Sequence, residues 1–176
     1  EYGTVFGVGS MVYGLAFLIN GPLTDRLGGR ATILIAAAGS AFANMLLGYM
    51  AMTGETFGMS TVAAFSTVYG INMYFQSFGA VSIVKVNAHW FHVSERGSFS
   101  GIFGTMISSG IFLAFSVNEG LLELAKGWWP DSPAESRTWI VFAIPAAVLA
   151  IIWLVELFLL RDRPSEAGHQ DFDTGD

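Results

Sequence analysis

Gly21-Pro22-Leu23-Thr24-Asp25-Arg26-Leu27-Gly28-Gly29-Arg30 is the stretch on which the fold turns. It is a polar, glycine-rich break between two long uncharged runs. Before it, no charge falls between Glu1 and Asp25, a run of 23 residues; after it, Arg30 and Glu55 enclose 24. Further along, Glu55 to Lys85 encloses 29 uncharged residues, Arg96 to Glu119 encloses 22, and Arg137 to Glu156 encloses 18. A bilayer core of ~30 Å needs ~20 helical residues at ~1.5 Å rise each. The runs predict an all-α membrane protein with five transmembrane helices, near residues 2–22, 31–53, 60–91, 98–119 and 138–160. Transmembrane strands would be shorter, ~9–11 residues, and would alternate in polarity.

Composition agrees. Of 176 residues, 53% are hydrophobic and 12% charged, too few charges to coat a soluble domain. The net charge of -6 and the lack of a basic patch exclude a nucleic-acid partner. Zero cysteines remove disulfides, thiol catalysis and Cys-zinc sites, and the histidines have no ligand-spaced companions. No nucleophile–base pair, P-loop or dinucleotide motif occurs, so neither an enzyme nor a cofactor is expected.

The basic residues orient the chain. Arg26, Arg30, Arg96, Arg161 and Arg163 fall on one side of the five spans, and Lys126 and Arg137 on the other. The positive-inside rule places the first group in the cytoplasm, the N-terminus outside and the C-terminus inside. Trp128, Trp129 and Trp139 at one interface and Trp90 with Phe91 at the other form the aromatic belts of such a bundle. Five spans with an external N-terminus, and a start at Glu1, read as a bundle lacking its first helix. Residues 1–160 are expected to form the membrane domain. Residues 161–176 carry Asp162, Glu166, Asp171, Asp173 and Asp176 and read as a disordered acidic linker. Gly3 with Gly7, and Gly97 with Gly101, are GxxxG pairs suited to close helix packing.

Within the polar break, Gly21 permits close helix approach and Gly28-Gly29 a tight reversal. Asp25 suits a helix N-terminus or a basic partner, and Arg26 and Arg30 suit carboxylates or phosphates. Inside the spans, Lys85 is the most costly residue and therefore a functional candidate. Ser82, His89 and His92 stand at helical spacing from it. The group reads either as a basic lining of a translocation path or as an interfacial anchor or a partner for a carboxylate. Tyr69, Asn72 and Gln76 share another face of that helix and either contact a solute or bond a neighbouring helix. Asn20, Asn44 and Asn118 read as structural. Glu156 is expected to reach the interface near Arg161. Glu95 and Arg96 form a loop ion pair or engage the Asp25–Arg30 segment.

In its membrane context the opening stretch resembles the G-x-L-x-D-R-x-G-x-R signature between helices two and three of the major facilitator superfamily. The resemblance extends over residues 1–168 and is closest to the organophosphate/phosphate antiporters. Tyr13-Gly14 stands before the signature at that family's spacing. Asn72-Met73-Tyr74-Phe75-Gln76-Ser77-Phe78-Gly79 resembles its N-G-W-F-Q-G-x-G, and His89-Trp90-Phe91-His92-Val93-Ser94-Glu95-Arg96-Gly97 its H-W-[WF]-x-x-x-E-R-G. Arg161-Asp162-Arg163-Pro164-Ser165 is similar to its R-D-x-P. On this register the chain covers family helices two to six and lacks helix one and the C-terminal half. The resemblance implies a secondary transporter of a small organic anion, such as a sugar or glycerol phosphate. It implies Tyr13, Asn72, Gln76 and Lys85 as path residues. Gly21, Asp25, Arg26, Gly28 and Arg30, with Glu95 and Arg96, would form a cytoplasmic gate. Phe17 and Ile107 stand where some members place a lysine and a histidine. A transporter-like membrane sensor of sugar phosphates and a carboxylate porter are the alternative readings.

Overall fold

The computed structural model describes residues 1–131 and 133–175. Five long helices follow one another: α1 (Tyr2–Leu27), α2 (Gly29–Thr53), α3 (Thr61–Trp90), α4 (Arg96–Trp128) and α5 (Ile140–Leu159). By length and composition α1, α2, α4 and α5 suffice to cross a membrane. The expected third span, α3, is the longest but one and more polar. It packs between α1 and α2, and its buried Asn72, Ser77 and Ser82 face those neighbours rather than lipid.

The helix ends differ from the sequence estimates. α1 continues through Pro22 to Leu27, so most of the opening stretch is helical and the reversal is Gly28 alone, at φ 90°. α4 runs past Glu119 and Glu123 to Trp128. Its 33 residues make a rod of about 50 Å, longer than the bilayer core, so charges along its final turns cost little.

Contacts join α1 to α3, α3 to α2, and α2 to α5. A small core of Leu47, Met50, Ala64 and Val68, with Phe65, Tyr69 and Phe142 packed on it, ties α2, α3 and α5 together at the end remote from Arg30. Along α4 the buried residue is Ala125. Close helix approach uses other glycines than the GxxxG pairs. A Cβ at Gly9 would collide with the Tyr69 ring, one at Gly39 with the Phe75 ring, and one at Gly48 would come within 3.3 Å of the Trp139 carbonyl. Gly3, Gly7, Gly21, Gly97 and Gly101 face open space.

The C-terminal segment also departs from expectation. A short 3-10 turn covers Pro164–Ala167, and Asp162 packs against Gly28 and Gly29. The Trp90 indole donates to the Arg161 carbonyl at 3.2 Å, and Val93 N–H to the Thr174 carbonyl at 2.9 Å. A linker rich in acids and carbonyls thus finds donors at the helix ends. Asp176 lies outside the described residues. Within the turn, the Ser165 N–H donates to Asp171 at 2.9 Å, and this bond holds the Asp171 carboxyl below its ordinary range. The contact is therefore expected at neutral pH and lost as pH falls through that lowered value, which hydrogen exchange at the Ser165 amide would follow.

Candidate gate and solute-path residues

α1, α3 and α5 all end on the side of the bundle that carries Arg26, Arg30, Arg96, Arg161 and Arg163. A helix C-terminus leaves carbonyls without intrahelical donors and carries partial negative charge. At each of these three ends a basic side chain from another segment supplies the donors. Lys85 of α3 reaches the end of α1, donating to the carbonyls of Thr24 at 3.2 Å and Asp25 at 2.9 Å and to the Asp25 carboxylate at 3.0 Å. Arg30 of α2 reaches the end of α5, with Nε 2.8 Å from the Leu160 carbonyl and Nη2 2.9 Å from that of Leu157. Arg96 of α4 reaches the end of α3, at the carbonyls of Ala88 and Phe91.

A carboxylate completes the set at the opposite polarity. Asp162 accepts the Arg30 backbone N–H at 2.6 Å, at the start of α2, where dipole and free N–H groups favour an anion. Arg30 and Asp162 thus cap each other's helix, α5 and α2. Asp162→Ala is expected to cost about 1 kcal/mol, read as a lower thermal midpoint. Arg30→Lys would fail to restore full stability, because an ammonium cannot reproduce the planar fork that serves two carbonyls.

The sequence candidates separate into two groups. Asp25 and Lys85 meet in the salt bridge just described, so Lys85 has the carboxylate partner that one of its two readings foresaw. Its three ammonium hydrogens are matched by three acceptors. Ser82, expected on its face, instead bonds Thr32 of α2 at 2.7 Å, and His89 Nδ1 lies 3.1 Å from the Lys85 carbonyl. Glu95 accepts the His92 N–H at 3.2 Å within the α3–α4 turn. Arg26 is an exposed residue of the last turn of α1.

Asn72 and Gln76 form the second group. Gln76 Nε2 donates to Asn72 Oδ1 at 2.7 Å, and Asn72 Nδ2 donates to Asn44 Oδ1 of α2 at 2.8 Å. Gln76 and Lys85 are nine residues apart, half a revolution at ~100° per residue, so they stand on opposite sides of α3. Gln76 instead shares a stripe with Phe65 and Tyr69, which line a cavity of about 430 Å³ bounded by all five helices. Tyr13 packs against Phe17, with ring centroids 5.5 Å apart and planes tilted by 53°, one turn along α1 from Gly9 and its contact with Tyr69. The four path candidates therefore do not converge: Lys85 belongs with the helix ends. Asn44, expected to be structural, does join α2 to α3 through Asn72, while Asp162, expected in a linker, caps α2. The signal for Asn44 was an amide at mid-span facing another amide.

A model of the Major Facilitator Superfamily matches residues 1–174. The chain belongs to the major facilitator superfamily. Among curated proteins it is similar to the glycerol-3-phosphate transporter of Bacillus subtilis, 32% identical over 171 residues, which are 96% of this chain and 34% of that protein. It is 25% identical to the membrane sensor protein UhpC of Salmonella typhimurium over 90% of this chain and 31% of that one. It is 28% identical to a Mycobacterium tuberculosis protein called "Probable nitrate/nitrite transporter NarK2", over 88% and 34% of the two chains. The chain spans about a third of the length of these relatives. No solved structure matches it. As a superfamily member with apolar helices of this length, it is a multi-pass membrane protein with an all-α fold, resembling the organophosphate transporters.

Proposed function

We propose that this chain is the part of a secondary transporter that carries one side's gate and a share of the solute path. The full-length protein would move a small organic anion, a glycerol or sugar phosphate, through the cell membrane by alternating access. The observation that carries this reading is the separation on α3. Lys85 locks the Asp25 segment of α1 at the basic end, while Gln76 stands on the opposite side of the helix, in line with the cavity. The glycerol-3-phosphate transporter among the relatives favours the substrate class. Basic caps on α1, α3 and α5 and the positive-inside rule together favour a cytoplasmic basic end, with the N-terminus outside. Residues 1–160 would be the membrane domain, and 161–176 the cytoplasmic segment leading to the other half of the transporter. A helix preceding Tyr2 would seat against the cavity and the open side of α4.

A second reading comes from the relative named as a membrane sensor: solute binding that signals without net transport. One experiment separates the two. Full-length protein in proteoliposomes loaded with inorganic phosphate is expected to take up external glycerol 3-phosphate by counterflow. Saturable binding without counterflow would select the sensor. Exchange of dicarboxylates but not phosphate esters would select a carboxylate porter and overturn the proposed substrate class.

A further inference from the structure

Asn72 is the buried middle of a three-amide chain. It is 2% exposed, and both polar atoms of its side chain are engaged: Nδ2 donates to Asn44 and Oδ1 accepts from Gln76. A primary amide has two donor hydrogens on one side and an acceptor oxygen on the other, so a chain of amides has a direction. Here Asn44 presents its oxygen to Asn72. Asn72 must then turn its nitrogen toward α2 and its oxygen toward Gln76, and Gln76 must spend one N–H on Asn72. Among the described residues nothing donates to Gln76 Oε1 or accepts its second N–H, and the residue is exposed. Turned the other way, the chain would leave Gln76 two free N–H donors and an oxygen already accepting from Asn72.

The difference decides what Gln76 can read. Two donors would suit an acceptor-only group such as a phosphate dianion. One donor beside one acceptor suits a hydroxyl, which gives one hydrogen bond and takes another. We infer that Asn44 is a positioning residue that sets the direction of the Asn44–Asn72–Gln76 chain, so that Gln76 recognises a hydroxyl of the solute rather than its anionic group. Asn44 acts through Asn72 and need not touch the solute. The close approach of α2 to α3 that the chain requires is provided at Gly39, where the Phe75 ring lies against the α2 backbone. The inference rests on the proposed phosphate-ester substrate, and its specific consequence is discrimination between an ester that carries hydroxyls and inorganic phosphate.

The test uses the full-length protein, with glycerol 3-phosphate and inorganic phosphate as probes. Asn44→Ala is expected to weaken glycerol 3-phosphate binding about tenfold while phosphate affinity stays within about twofold, because only the hydroxyl contact is misdirected. Asn44→Asp, whose carboxyl oxygen accepts as the amide oxygen does, is expected to retain most of the selectivity. Equal losses for both probes, or an unchanged ratio in Asn44→Ala, would overturn the assignment. A wild type that binds neither probe would overturn the substrate reading instead. The amide chain is then decided by the Gln76 side-chain amide resonances, which must shift in Asn44→Ala; unmoved resonances overturn it without reference to any solute.

Discussion

Lys85→Met is expected to slow transport by the full-length protein more than tenfold at unchanged membrane expression, and Asp25→Asn about fivefold. The unequal sizes follow from the geometry. The Lys85 side chain is 25% exposed and that of Asp25 76%, so their salt bridge is close to the surface regime and worth about 1 kcal/mol or less, a factor of about five in an equilibrium. Asparagine at position 25 keeps an oxygen for the ammonium and leaves the two backbone contacts in place. Methionine at 85 removes all three bonds and uncaps α1, adding a dipole contribution of ~0.3–1 kcal/mol. The loss falls on the state in which the two helices are joined, so it shifts the balance between gate conformations. The charge swap, Asp25→Lys with Lys85→Asp, should recover only part of the activity, because a carboxylate at 85 cannot donate to the Thr24 and Asp25 carbonyls. Full recovery would mean that the ion pair alone matters; initial uptake rates decide.

Gly39→Ala is expected to destabilise the bundle by about 1–3 kcal/mol, the usual cost of overpacking. An added methyl would enter the Phe75 ring, and that ring cannot retreat as the end of a flexible side chain can. Phe75→Leu introduced together with Gly39→Ala should return part of the loss, whereas two distant changes would simply add. Gly3→Ala, into open space within the described bundle, bears no such relation to Phe75. Thermal unfolding of the wild type, Gly39→Ala, Phe75→Leu and the double variant in one detergent measures the coupling, and strict additivity would contradict the packing described.

Much of the fold is legible in the sequence, because lipid imposes long apolar runs and a polar break must separate them. The reversal at Gly28 is legible too, since a residue at φ 90° is best supplied by glycine. Helix ends are less so. A proline at 22 and acids at 119 and 123 look like stops, yet α1 is held beyond Pro22 by Lys85, and α4 extends past the bilayer's thickness. Spacing along α3 correctly separates Lys85 from Gln76. It cannot say which neighbour each face meets, so spacing groups Ser82 with Lys85 although the two face different helices. Glu156 shows the same limit. It stands in the last turn of α5, half-buried, and that its Oε2 meets no hydrogen-bond partner among the described residues is not legible from spacing. The GxxxG pairs were legible as patterns, whereas the glycines that admit neighbouring rings, Gly9 and Gly39, carry no motif.

The most direct test of the gate is the reactivity of Gln76→Cys in the full-length protein, made in a background free of other accessible thiols. A membrane-impermeant thiol reagent is applied from the side of Arg26 and Arg30, with and without Lys85→Met. The account predicts slow modification while the Asp25–Lys85 lock is intact and modification several-fold faster once it is broken. The same rate in both proteins, or no reaction in either, would contradict it.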